Sequence, residues 1–586
     1  MPSHSNKFIC IHGHFYQPPR ENAWLEVIEV QDSAHPYHDW NERITAECYE
    51  PNSTSRILDE DQIIRDIINN YSKISFNFGP TLLSWMEVYA RETYLAILEA
   101  DKESIRRFGG HGSAMAQVYN HMILPLSNAR DKETQVIWGI RDFESRFGRK
   151  PEGMWLAETA VDIETLEALA ANGIQFTVLA PRQAKATRKI GEENWHEVNE
   201  RSVNTMRAYR CNLPSGKFIN LFFYDGDISQ GIAFNGLLND GKRFAESLLN
   251  AVDKHLDEPQ LVHVATDGET YGHHHKHGDM ALAFCLDYIE KDERVTLTNY
   301  SQFLSLAPPI YEAQIIENSS WSCVHGIERW RSDCGCNSGG NAGWTQEWRK
   351  PLRDSLDWLR DAAAEVFERE GSKILRDPWA ARNDYISVVM KRNETTTESF
   401  LKNHALPDAQ PSRVFRLMEM QRHSMLMYTS CGWFFDEVSG IETTQVMQYA
   451  CRVVQLANQT NEVDYEAELL KRLEQAPSNV EAHKNAALVY EKFVLPSRIN
   501  LKRVGMHFAV SSIFEDEPES LNIFNYSTSS ESFVKKAAGE QKLVLGITTV
   551  KSMVTRSERK FAFAVIYLGK HNIIGNISLD MDVDDF

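Results

Sequence analysis

Seven short apolar runs, separated by stretches of helical periodicity, occupy the first 300 or so residues of this 586-residue chain. They are Phe8–Ile11, Ile74–Phe78, the run from Gly153 that leads into Glu158, Ile174–Val178, Phe218–Tyr224, Leu261–Thr266 and Val295–Leu297. Strands that are apolar throughout are buried on both faces, and strands alternating with helices through right-handed crossovers make a parallel sheet wrapped by helices. The pattern predicts an α/β fold, a seven-fold β/α barrel. Its clearest unit surrounds Glu158. Val136, Ile140, Phe143 and Phe147 recur at helical spacing, and Gly148 with Pro151 stops that helix before the apolar run. Thr159-x-x-Asp162 predicts a capping-box start for the next helix, through Leu166 and Leu169. Asn172-Gly173 closes it before the alternating Ile174, Phe176 and Val178.

In such folds the residue between a strand end and the following helix faces the rim where ligands bind. His12, His14, Asn77, Glu158, Asp225 and Asp267 all fall there. Strand pleat puts His12 and His14 on one side. Glu158 and Asp267, on separate strands, are the pair a glycosidase needs: one attacks or stabilises the anomeric carbon, and the other, with a raised pKa, protonates the leaving oxygen. Either acid alone is also accounted for as a helix cap. Flanking Trp155, Tyr271 and histidines favour chemistry. A metal-dependent barrel hydrolase is the alternative, with His12, His14 and Asp267 as ligands and His111 or His273 completing the set. A catalytically inactive carbohydrate-binding barrel is the third reading.

The formal net charge of −20 repels phosphate backbones and anionic membranes, which points away from nucleic acid and membranes and toward a neutral carbohydrate. The start Met1–Lys7 lacks the basic and long apolar regions of a secretory signal, and no run approaches membrane-spanning length. Nine cysteines, odd in number and irregularly spaced, fit free thiols in a reducing cytoplasm. Past the barrel, residues 1–310, the pattern changes. Residues 311–343 form a Cys/Gly-rich loop region near the active site, 344–511 a helical domain, and 512–586 the hairpins of a β-rich segment. Cys323-x-His325 and Cys334-x-Cys336 match no common zinc-finger spacing and read as packing thiols. Trp344, Trp348 and Trp433 read as core, and Cys431–Glu437, odd for a helical region, is expected to reach the barrel mouth.

Taken as a set, these motifs resemble glycoside hydrolase family 57, whose members act on α-glucans by a retaining mechanism. His12-Gly13-His14-Phe15-Tyr16-Gln17-Pro18 is similar to the family's first region, with Phe15 and Tyr16 inserted before Gln17. His121-Met122-Ile123-Leu124-Pro125 resembles its His-Pro-Ile-Leu-Pro segment, with Met122 replacing proline. Trp155-Leu156-Ala157-Glu158 resembles the third region, Asp267-Gly268-Glu269-Thr270-Tyr271-Gly272-His273 the fourth, and Ser320-Trp321 through Trp330 the fifth. The resemblance implies Glu158 as nucleophile and Asp267 as general acid/base. Sugar contacts are expected from His12, His14, Gln17, His111, Trp155, Asp225, Tyr271, His273, Trp321 and Trp330. It implies no catalytic metal and no cofactor. The helical and β segments look like those of a subgroup with an uncharacterised extra C-terminal domain, which in relatives continues past the position of Phe586.

Overall fold

The computed structural model describes residues 6–461, 463–515 and 520–579. The chain forms two compact units: Met1–Pro19, Val30–Ala342 and Tyr428–Phe435 make the first, and Arg20–Glu29, Gly343–Met427 and Asp436–Phe586 the second.

In the first unit seven strands form a ring: β1 (Lys7–Phe15), β2 (Ser75–Phe78), β3 (Ala116–Gln117), β4 (Met154–Trp155), β5 (Phe176–Leu179), β6 (Phe218–Phe223) and β7 (Gln260–Asp267). β1 lies parallel to β7 on one side and to β2 on the other, with His14 opposite both Asp267 and Asn77. β3 pairs with β4 and β5 with β6, also parallel. The other seams are thin. Phe76 bridges Ala114, Gly153 bridges Phe176, and the amide of Asp225 donates to the carbonyl of His263 at 2.8 Å to join β6 to β7. Inside, Phe8, Cys10, Trp155, Phe176, Val178, Phe222, Leu261, Ala265 and Tyr300 form one buried cluster, which is why these strands are apolar on both faces.

The ring has the expected number of strands with one exchange of membership. Only Thr296–Leu297 of the expected last strand is extended, and it lies on the N-terminal end of β1, with Phe8 opposite Thr296. The ring strand in its place is β3, two residues in a stretch without periodicity. β1 outruns its apolar core through His12–Phe15, because both imidazoles are buried. The helix Ile163–Ala171 is capped by Asp162, whose side chain accepts from the Thr165 amide, and not by Thr159. Thr159 sits at φ +50° in the preceding turn and gives its hydroxyl to Gln183. After β5 the chain makes antiparallel strands in place of a helix. Ala184–Lys189, His196–Glu197, Ala208–Asn212 and Tyr311–Ile315 extend β5 and β6 into a six-stranded sheet.

In the second unit the helices Arg349–Gly371, Pro411–Leu426 and Ile441–Asn458 pack on one another. Trp348 is buried there. Five antiparallel strands follow in chain order from Ser520–Ile523 to Ile573–Ser578. The helix Leu501–Ser511 covers one face of this sheet through Val504 and Phe508, against Phe561, Phe563 and Val565. In the strand Gln541–Ser552 the inward residues include Val544 and Val550; Leu543 and Leu545 are only half-buried. Residues 580–586, at the end of the expected β-rich segment, lie outside the described ones.

Candidate active site

Glu158 follows β4 by three residues, and the strand stops before it. Leu156 is still extended, but Glu158 takes a left-handed conformation, φ +55° and ψ +23°. For a residue with a Cβ that costs on the order of 1 kcal/mol, so the surroundings must hold it. They do so from one segment: the Glu158 carbonyl accepts from the Trp321 amide at 3.0 Å. Its Oε2 accepts from Trp321 Nε1 at 2.9 Å and from Ser322 Oγ at 2.6 Å. Among the described residues Oε1 receives no hydrogen bond. Burial raises the pKa of Glu158, while the Ser322 and Trp321 hydrogen bonds and the Arg329 guanidinium oppose that rise.

Asp267 ends β7. It makes no cap to the turn after it, and its side chain opens to solvent while protein surrounds it. That enclosure first, then the negative charges of Glu158 and Glu269, push its pKa up to about 8. Glu269 is itself held in place, its Oε1 accepting from Gln17 Nε2 at 2.5 Å and from the Tyr49 hydroxyl at 2.9 Å. The turn between the two acids requires Gly268: a Cβ there would lie 2.3 Å from the Phe15 ring.

Behind the acids lies a polar layer on β1 and β2. Ser75 Oγ lies 3.1 Å from His12 Nδ1, and His12 Nε2 lies 3.1 Å from Asn77 Oδ1. The amide nitrogen of Asn77 is 2.9 Å from His14 Nδ1 and donates to Gln117 Oε1 at 2.7 Å. This chain assigns the protons. His12 donates through Nε2 to the amide oxygen, the amide nitrogen donates to His14 Nδ1, and His14 then carries its own proton on Nε2. Burial lowers both imidazoles to about 3, so both are neutral at pH 7. His14 stacks on Trp155 at 5.0 Å and on His121 at 5.1 Å, and Trp321 meets it edge-on at 6.2 Å. His121 in turn pairs with Ser430 Oγ at 2.6 Å, which brings the segment Tyr428–Phe435 onto the barrel.

The other expected sugar contacts resolve differently. His12 and Trp155 are fully buried beneath His14, and Tyr271 and Trp330 are fully buried as well, so these four brace the site from behind. Gln17 is committed to Glu269. His111 pairs with Glu152 at 3.0 Å. Both precede their strands, which puts them at the N-terminal end of the barrel, opposite the acids. His273 pairs with Glu47. Asp225 caps the helix Gly226–Phe234 through the Ile228 amide. Sequence reasoning assigned no role to Glu269, Ser322 or Gln117, although the first two lie inside the quoted motif segments. Among the described residues, the only group of three or more potential metal ligands is Cys323, His325, Cys334 and Cys336. His12, His14 and Asp267 gather no such set, with both His12 nitrogens taken by Ser75 and Asn77.

Two carboxylates in unlike surroundings therefore lie at the C-terminal mouth of a seven-stranded β/α barrel. The model of glycosyl hydrolase family 57 matches residues 10–317, and the chain belongs to that family. A domain of unknown function, DUF3536, matches residues 344–586. Among solved structures, the exo-type maltose-forming amylase of Pyrococcus sp. ST04 is similar at a TM-score of 0.62 and 17% identity, covering 84% of this chain and 92% of that one. The branching enzyme of Thermococcus kodakaraensis gives 0.49 and 14%, covering 84% and 96%. The 4-α-glucanotransferase of Thermococcus litoralis gives 0.47 and 12%, covering 97% and 86%. Comparison with curated proteins returns no match.

Proposed function

We propose that this chain is a cytoplasmic retaining glycoside hydrolase or transglycosylase acting on α-linked glucans, with Glu158 as nucleophile and Asp267 as general acid/base. The observation that carries the reading is the division of labour between the two acids. Glu158 receives two hydrogen bonds on one oxygen and keeps the other for attack. Asp267, enclosed beside two further acids, is pushed up to about 8 and holds its proton at neutral pH. That is the split a double-displacement mechanism requires. In the first step Oε1 of Glu158 bonds to the anomeric carbon while Asp267 protonates the leaving oxygen. In the second, Asp267 as carboxylate takes a proton from water or a sugar hydroxyl, which displaces Glu158. His14, neutral with a proton on Nε2, is a hydrogen-bond donor for a sugar oxygen. The α-glucan assignment rests on the family and on the maltose-forming amylase named above. An acidic surface charge and a described structure in which no helix is long and apolar enough to cross a membrane agree with a neutral, dissolved substrate.

The test is trapping. Asp267→Asn incubated with an α-glucosyl fluoride, whose leaving group needs no acid, accumulates a covalent glycosyl adduct that peptide mass mapping places on Glu158. Glu158→Gln gives no adduct and turns over maltooligosaccharides at less than about one-thousandth of the wild-type rate. An adduct on another residue, or undiminished turnover by Glu158→Gln, defeats the assignment.

A further inference from the structure

The loop that holds Glu158 runs directly into a cluster of soft ligands. Trp321 and Ser322 donate to the Glu158 carboxylate, and the next residue is the buried Cys323. Its Sγ lies 3.9 Å from Cys334 Sγ and 3.7 Å from Cys336 Sγ, and Cys336 Sγ lies 3.7 Å from His325 Nδ1. All four ligand atoms fall within 4.8 Å of one another. In a tetrahedron with metal–sulfur bonds of about 2.3 Å, neighbouring sulfurs are about 3.8 Å apart. A disulfide bond is about 2.05 Å long, so at these separations the three sulfurs are free thiols in contact. Between Cys334 and Cys336, Gly335 takes φ +81°, a left-handed turn that lets two thiols one residue apart bend toward a shared centre.

We propose that Cys323, His325, Cys334 and Cys336 bind one zinc ion in a closed, structural Cys3His site. Packed thiols, the reading the linear spacing favoured, explain neither the tetrahedral edges nor the imidazole among them. Three thiols and a neutral histidine take up Zn²⁺ and release three protons, leaving a centre of charge −1 and no change of oxidation state. With four protein ligands there is no open position, so the ion does no chemistry on substrate.

Its role follows from what surrounds it. The near end of the loop is pinned by arginines: Arg182 donates to the carbonyls of Ser320 and Trp321, and Arg329 donates to that of Ser322 at 3.4 Å. Ser320 Oγ donates to the Gly326 carbonyl at 2.6 Å. Beyond that point Ser332–Gly343 carries six glycines and asparagines, and the metal would fasten this far half to Cys323. Zinc would therefore fix the segment that presents Trp321 and Ser322 to Glu158.

The experiment uses the full chain without a polyhistidine tag, purified without chelator and with thiols reduced. Elemental analysis is expected to find one zinc per chain. The double variant Cys334→Ser/Cys336→Ser is expected to retain less than about one-tenth of that, while Cys431→Ser, outside the cluster, retains all of it. Should the double variant fail to fold, wild-type chain stripped and reconstituted with cobalt under argon answers the same question. One equivalent should give thiolate-to-cobalt charge-transfer absorption and the strong visible bands of a tetrahedral centre. Hydrogen exchange in peptides covering residues 320–337 should slow when the metal is added. Zinc-free protein that also gives no cobalt spectrum overturns the proposal. So does zinc that survives in the double variant, or a disulfide found within the cluster in freshly reduced protein. None of these readouts depends on the roles given to Glu158 and Asp267.

Discussion

Glu269 sits two residues from the proposed acid and is not itself placed to react, so its charge offers a direct handle on Asp267. Glu269→Gln preserves the shape and leaves an amide oxygen able to accept from Gln17 and Tyr49, as the carboxylate does now. What is lost is one negative charge. Asp267 opens to solvent at the mouth, so water screens the interaction strongly. Two unit charges roughly 8 Å apart at an effective dielectric near 40 interact by about 1 kcal/mol, which is about 0.7 of a pH unit. The sign follows from the form that works. A general acid must hold its proton, so activity falls as pH rises through the Asp267 pKa, pushed up to about 8 in the native protein. Removing a neighbouring anion makes Asp267 easier to ionise. In Glu269→Gln the alkaline limb of kcat/KM against pH therefore moves toward acid by about 0.7 of a unit, with the plateau below it changed little. The profile is measured on maltooligosaccharides from pH 4.5 to 9.5, at two ionic strengths, because the displacement should shrink as salt rises. A limb that stays in place, or moves toward alkali, means that some other group sets it, and the raised acid would then have to be sought elsewhere.

Ser322→Ala removes the shorter of the two hydrogen bonds to Glu158 Oε2 and is expected to lower kcat about tenfold, with KM nearly constant, because the bond orients the carboxylate and does not touch sugar; a loss confined to KM contradicts that role. Asp267→Asn should stabilise the fold at pH 8 and not at pH 4. A carboxyl whose native pKa is raised is protonated in both folded and unfolded chains at low pH, and costs stability once the unfolded chain ionises freely while the folded one resists. Allowing for solvent screening, the gain is on the order of 1 kcal/mol, read from urea midpoints at the two pH values, and an equal effect at both removes the electrostatic explanation.

How much of this was legible in the chain depends on how local each interaction is. The ring strands with long apolar cores, β5, β6 and β7, were legible because burial on both faces leaves a mark in consecutive residues. Strand β3 was not, since two residues paired through Ala116 and Gln117 carry no period at all. Glu158 and Asp267 were legible by position at strand ends, but not their contrast. The contrast comes from Trp321 and Ser322, more than 160 residues downstream of Glu158, and from Glu269, whose place is fixed by Gln17 and Tyr49. Depth along a strand is one thing the sequence does not show. A residue on the strand and a residue at its tip look alike in sequence, yet His12, two residues deeper than His14 along the same strand, and Trp155 are fully buried, whereas His14 and Trp321 lie nearer the mouth. The same logic explains the thiols. Spacing rules for metal sites describe ligands arranged by short regular turns, whereas Cys323 and Cys334 are brought together by a loop whose path is set by arginines and a left-handed glycine. If the cluster binds zinc, the geometry of the proposed nucleophile depends on a centre outside the barrel ring. The metal content of the chain then becomes a determinant of kcat even though a zinc ion with four protein ligands has no position open to substrate.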